Sequence, residues 1–89
     1  MLKVLKITQN NCPACSLLSY MIDDGVDFPV EELNIDELDQ EKRKEVIGNY
    51  DLMGTPVLIF EKDGEVVDRL NGIRGVNPEV INELIEKHL

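Results

Sequence analysis

The 89-residue sequence predicts an α/β chain built on a four-stranded mixed sheet, in the order β-α-β-α-β-β-α, with helices on both faces. Three observations predict it. Short runs rich in Val, Leu and Ile alternate with stretches whose apolar residues recur at helical spacing. The last two strand-like runs are separated only by Lys62-Asp63-Gly64, a tight Asp-Gly turn, so they must be antiparallel. The first two are separated by a helical segment and should lie parallel through a right-handed crossover. At this length one core and one domain, residues 1–89, are expected.

Leu2 to Ile7 reads as a short strand, interrupted by Lys3 and Lys6, and Thr8 to Asn11 is polar and turn-prone. Pro13 suits the first turn of a helix, where its missing N–H costs nothing. Leu17, Leu18, Met21 and Ile22 continue that helix until Asp23-Asp24-Gly25 stops it. Phe28 to Ile35 is the second strand, with Pro29 near its start. Asp39 to Tyr50 reads as a helix with Val46, Ile47 and Tyr50 on one side; alone it would be marginal, so it must rest on the sheet. Pro56 to Phe60 is a near-continuous apolar run that suggests a central strand, and Glu65 to Leu70 returns as its hairpin partner. Asn77 caps a last helix with Pro78 at its first position, Glu79 in its positive end, and a stripe of Val80, Ile81, Leu84 and Ile85.

Apolar residues make up 43% and charged residues 30% of the chain, an ordinary globular mixture. With no Trp and few aromatics, the core must be mostly Val, Ile and Leu. A formal net charge of -9 repels phosphate backbones and anionic lipid, so neither nucleic acid nor a membrane surface is an expected partner. The same charge favours basic partners and aids solubility. The N-terminal MLKVLKITQNN has no apolar run of signal-peptide length, and Pro56 to Phe60 is far too short to span a bilayer. A cytoplasmic monomer is expected. Both cysteines fall in one Cys-x-x-Cys and cannot staple distant parts of the chain; in a reducing compartment such a pair is reactive rather than structural.

Cys12 lies at the junction of the first strand and the first helix. The first turn of a helix leaves four backbone N–H groups without intrahelical partners, and a thiolate placed there receives them together with the positive end of the dipole. The Cys12 thiol should therefore ionise below the free value of about 8.5. Cys15 comes round to the same side of the helix, less exposed and close enough to bond to Cys12. Cys12 is thus the nucleophile and Cys15 the resolving thiol of a disulfide exchange. Pro13 keeps the turn helical, and Ala14 leaves the rim apolar and open. Half of a zinc site is the main competing assignment, yet four ligands are usual and only His88 remains as a soft ligand, so such a site would have to bridge two subunits. Two inert core cysteines are the other alternative. No metal or cofactor is expected.

Pro56 opens a strong strand pattern, a position explained either by a trans proline at a strand start or by a cis Thr55–Pro56 bond. With both motifs in view, the chain resembles the thioredoxin-like superfamily. Ile7-Thr8-Gln9-Asn10-Asn11-Cys12-Pro13-Ala14-Cys15 is similar to the segment that leads into a glutaredoxin active site; Pro56-Val57-Leu58-Ile59-Phe60, Lys62-Asp63-Gly64-Glu65-Val66-Val67 and Asn71-Gly72 look more like thioredoxin. The resemblance implies a thioredoxin-like fold and a cis-proline loop at Gly54-Thr55-Pro56 facing the cysteines. It also implies that the backbone of Thr55 pairs with an extended substrate, beside Pro13, Ala14, Pro56 and Gly72.

The implied activity is that of a thiol–disulfide oxidoreductase acting on disulfide-containing proteins. Its electrons would come from a thioredoxin-reductase-like enzyme or a low-molecular-weight thiol. Departures bear on the substrate. Glutaredoxins carry a Lys where this chain has Gln9, and a Gly-Gly pair with an Asp where it has Asn71-Gly72-Ile73-Arg74-Gly75, which weakens the case for glutathione as an obligatory partner. Thioredoxins carry a Trp and a buried Asp at the positions of Asn11 and Lys6. Lys6 pointing under the site would stabilise a thiolate, but the ordinary expectation is that it snorkels to solvent. Tyr20 and Tyr50 are expected to pack in or near the core, Gly72 to serve a turn, and Arg74 to be solvated. A non-catalytic redox-sensing or protein-binding module is the alternative function.

Overall fold

Strand β1 (Leu2–Thr8) is hydrogen-bonded on both sides in the structure, a computed structural model that describes residues 1–89. After it come α1 (Pro13–Gly25), β2 (Val30–Asn34), a 3-10 turn at Ile35–Glu37, α2 (Gln40–Asn49), β3 (Val57–Lys62), β4 (Glu65–Asn71) and α3 (Pro78–His88). The sheet order is β2-β1-β3-β4. β1 runs parallel to β2, from Val4↔Val30 to Thr8↔Asn34, and antiparallel to β3, from Leu2↔Lys62 to Ile7↔Val57. The mixed four-stranded sheet and the predicted element order are both observed.

Successive side chains of a strand point to opposite faces, and the core divides accordingly. Leu2 and Val4 of β1 join Leu58 and Phe60 of β3 beneath Leu18 and Ile22 of α1 and Ile81 and Ile85 of α3. Leu5, Ile7, Val57 and Ile59 face the other way, toward Ile35 and the partly buried Val46, Ile47 and Tyr50. β3 is therefore covered on both faces, which is why it reads as an unbroken apolar run. Helix α2 has no fully buried residue. It starts where the Asp39 side chain accepts the Lys42 N–H at 2.8 Å, a cap worth about 1 kcal/mol.

The hairpin is as expected: Asp63 and Gly64 both have positive φ, 53° and 86°. Its register slips once between Phe60 and Glu61, so that Phe60 pairs with Asp68 and Glu61 with Val66. Three expectations are corrected. β2 is shorter than Phe28 to Ile35: Pro29 precedes it, and Ile35 sits buried in the 3-10 turn that Asn34 caps through Asp36 N–H at 2.9 Å. Tyr20 is 71% exposed rather than core-packed, and Leu17 is also exposed. The sheet and α3 cover Cys15, Leu18 and Ile22 on α1, with Met21 partly buried beside them, and leave Leu17 and Tyr20 in solvent.

The C-terminal end of α1 meets the start of α3 closely. A Cβ on Gly25 would stand 2.6 Å from Pro78 Cβ, and Asn82 Nδ2 donates to the Gly25 carbonyl at 2.9 Å. No helix is long and apolar enough to cross a membrane.

Candidate active site

The turn after β1 is tied to the turn after β2. The Asn10 N–H donates to Asp36 Oδ2 at 2.7 Å, and Asn34 Nδ2 donates to Asn10 Oδ1 at 3.0 Å. Asn11 follows with φ 55°, and the chain then enters α1 at Cys12, the N-cap residue. Its sulfur takes the place of the usual capping oxygen and accepts the Cys15 N–H at 3.1 Å. Pro13 is the first helical residue. Cys12 and Cys15 are joined as a disulfide, with Cα atoms 5.2 Å apart. Cys12 is half-buried, whereas Cys15 is only 5% exposed. Pro13 lies exposed and Ala14 partly exposed on the rim beside them.

The Thr55–Pro56 bond is cis, as the resemblance implied. Thr55 Oγ1 donates to Cys12 Sγ at 3.5 Å, and Pro56 is fully buried behind it. Gly72, with φ 73°, donates its N–H to the Pro56 carbonyl at 2.8 Å. Thr55, Pro56 and Gly72 share a groove of about 630 Å³ with Met53, Gly54 and Arg69. The structure thus brings Cys12, Cys15 and Thr55 together and places Pro56 and Gly72 just beyond. Arg74 is exposed, as expected of a solvated residue.

Sequence reasoning missed Arg69 and Met53 in this groove. Arg69 Nη1 donates to the Tyr50 carbonyl at 2.7 Å, and Nε donates to Asn71 Oδ1 at 3.1 Å. Tyr50 in turn donates its hydroxyl to Glu61. That hydrogen bond, with burial and the repulsion of the same Glu61 charge, pushes the phenol up to about 12. Both ends of Tyr50 are therefore held where the chain leaves α2 for the Thr55–Pro56 loop. His88 bonds Asp68 at 3.2 Å.

On the inner side of the disulfide, a polar cavity of about 220 Å³ is lined by Thr8, Cys12, Cys15, Ser19, Glu32 and Asn34 among others. The buried Thr8 hydroxyl has no protein partner. Lys6 does not snorkel to solvent: it is 8% exposed. It shares the parity of Leu2 and Val4, so it points to the face that α1 covers. Alternation alone could not have found it, because Leu2 and Val4 make one face of β1 apolar and Leu5 and Ile7 the other.

Among curated proteins, the thioredoxin of Bacillus subtilis is 31% identical over 78 residues, spanning 88% of this chain and 73% of that protein. The chain belongs to the thioredoxin family. Thioredoxin from Listeria monocytogenes is 30% identical over the same length. Among solved structures, a mutant thioredoxin from Halobacterium salinarum superposes with a TM-score of 0.78 over 98% of this chain and 74% of that one, at 20% identity. A glutaredoxin from Archaeoglobus fulgidus gives 0.70 at 27% identity, over 96% and 87% of the two chains. No family model matches the sequence. This thioredoxin-family chain accordingly has the thioredoxin-like fold, a four-stranded mixed sheet flanked by helices, with a Cys-x-x-Cys disulfide where the first helix begins.

Proposed function

We propose that this chain is a thiol–disulfide oxidoreductase that reduces protein disulfides by dithiol exchange. The observation that carries the reading is the asymmetry of the two sulfurs: Cys12 is half-buried at a helix N-cap with the Cys15 N–H at 3.1 Å, while Cys15 is buried beneath it. The amide and the Thr55 hydroxyl are donors to an anion on Cys12, so that thiolate forms readily in the reduced protein.

In the reaction, the Cys12 thiolate attacks one sulfur of a substrate disulfide. The substrate S–S bond breaks, a mixed disulfide to Cys12 forms, and the first substrate sulfur leaves as a thiolate that takes up a proton. Cys15 then loses its proton and attacks Cys12 Sγ. The mixed disulfide breaks, the second substrate sulfur leaves as a thiol, and Cys12–Cys15 is left oxidised. Two electrons from a reductase or a low-molecular-weight thiol restore the dithiol. The substrate chain lies extended along Thr55 and Pro56, with Pro13, Ala14 and Gly72 bordering it. The protein works as a monomer in a reducing cytoplasm.

Reduction of insulin disulfides tests the reading, with the oxidised protein recharged either by NADPH and a thioredoxin reductase or by glutathione. Catalysed reduction with one of the two donors is the expected result. No acceleration with either, nor with a chemical dithiol as donor, would overturn it.

A further inference from the structure

Two opposite charges stand on the inner side of the dithiol, and no step above uses them. Lys6 of β1 is in register with Glu32 of β2, and parallel neighbours in register project to the same face. Their side chains meet, with Lys6 Nζ 2.9 Å from Glu32 Oε1. Lys6 Nζ also donates to Ser19 Oγ at 2.6 Å, and Ser19 Oγ donates to the Cys15 carbonyl at 3.1 Å. Ser19 lies one helical turn after Cys15, which places both on the side of α1 that faces the sheet. Two hydrogen bonds thus connect a buried ammonium to the backbone of the inner cysteine.

The two charges are not equally screened. The Lys6 side chain is 10% exposed and that of Glu32 is 52% exposed. Water weakens the carboxylate's field more than the ammonium's, so the pair does not cancel at the sulfurs. Glu32 is the one charged side chain lining the cavity beside Cys12 and Cys15. α1 and its N-cap contribute only the cysteines and uncharged Ser16 and Ser19 to that wall, and the one group reaching Cys12 from the Thr55–Pro56 loop is the uncharged Thr55 hydroxyl.

We propose that Lys6 is a positioning residue that stabilises the ionised dithiol, with Glu32 opposing it, so that this charge pair sets the redox potential of the site. Reduction adds two electrons and one proton to the Cys12–Cys15 disulfide and yields one thiolate and one thiol, the electrons coming from a dithiol reductant. A negative charge then appears at the start of α1, which Lys6 reaches through Ser19 and the Cys15 carbonyl, where the disulfide carried none. Stabilising that charge favours the reduced form, which raises the potential and lowers the pKa of the first thiol to ionise. The inference rests on the dithiol reading of Cys12 and Cys15, but not on turnover.

The test compares Lys6→Met, Lys6→Arg and Glu32→Gln with the parent chain. Thiolate formation is followed by ultraviolet absorbance against pH, and the potential by equilibration with dithiothreitol. Lys6→Met should raise the pKa of the first thiol by about one unit, which is tenfold less thiolate at a pH below it, and should lower the potential. Lys6→Arg should restore both, and Glu32→Gln should shift both the other way. Unchanged values in Lys6→Met, or shifts of the same sign in Lys6→Met and Glu32→Gln, would overturn the proposal. Should circular dichroism show Lys6→Met unfolded, the half-exposed Glu32→Gln decides alone: an unchanged pKa there overturns it. A chain that shows these shifts but does not reduce insulin would uphold this inference while removing the proposed turnover.

Discussion

Thr55 Oγ1 reaches Cys12 Sγ at 3.5 Å across 43 positions of sequence, so the loop that opens β3 touches the sulfur that opens α1. A hydrogen bond to a charged group is worth about 1.5–3 kcal/mol. Thr55→Val keeps the shape and removes the donor. It should slow alkylation of reduced Cys12 by iodoacetamide at neutral pH about tenfold or more, and Thr55→Ser should recover most of that rate.

Exposure separates the roles of the cysteines. Cys12→Ser should abolish reduction of insulin. Cys15→Ser should leave a mixed disulfide on Cys12, seen by mass spectrometry and released by dithiothreitol. Equal and mild losses in the two variants would contradict the assigned order of attack.

Tyr50 gives a stability prediction with a defined pH window. Its phenol pKa rises from 10.0 to about 12 in the folded chain, chiefly because the hydroxyl donates to Glu61. Between those values the folded state holds a proton that the unfolded state has lost, so stability falls as pH rises. The contribution is complete below about pH 10 and gone above about pH 12. Tyr50→Phe should cost about 1 kcal/mol at neutral pH, lowering Tm by about 4–8 °C. The gap between Tyr50→Phe and the parent in denaturant titrations should close across that window.

Gly25 is constrained by a neighbour. A methyl group at this position would stand 2.6 Å from the rigid Pro78 ring, so Gly25→Ala should force α1 and α3 apart. A loss of about 1–3 kcal/mol in urea unfolding is expected, against the small gain that alanine brings to an unobstructed helix position.

Much of this was legible in local patterns. Pro13 after Cys12, Asn77 before Pro78, and Asp63-Gly64 each carry their own backbone instruction, and each element formed where these residues placed it. The cysteine pair was legible for the same reason, because a helix start supplies amide donors whatever surrounds it. What failed to read out depends on partners far along the chain. Leu17 and Tyr20 fit a helical stripe as well as Leu18 and Ile22 do, and only the partners that pack against α1, from the sheet and α3, decide which of them is covered. Lys6 looked like any strand lysine, since one charged residue does not reveal which face a helix will cover. The bond from Arg69 to the Tyr50 carbonyl requires a β4 register that the Phe60/Glu61 irregularity shifts.

The border strand β2 has a hydrogen-bonded neighbour only in β1, leaving its other side open along Val30–Asn34. Glu31 and Glu32 sit in the middle of that stretch, both exposed. Each is held by a lysine of β1, Glu31 by Lys3 at 3.4 Å and Glu32 by Lys6 at 2.9 Å, so a second copy approaching edge to edge would have to strip water from charged side chains before any backbone contact formed. Fibrous self-association through this margin is thereby disfavoured.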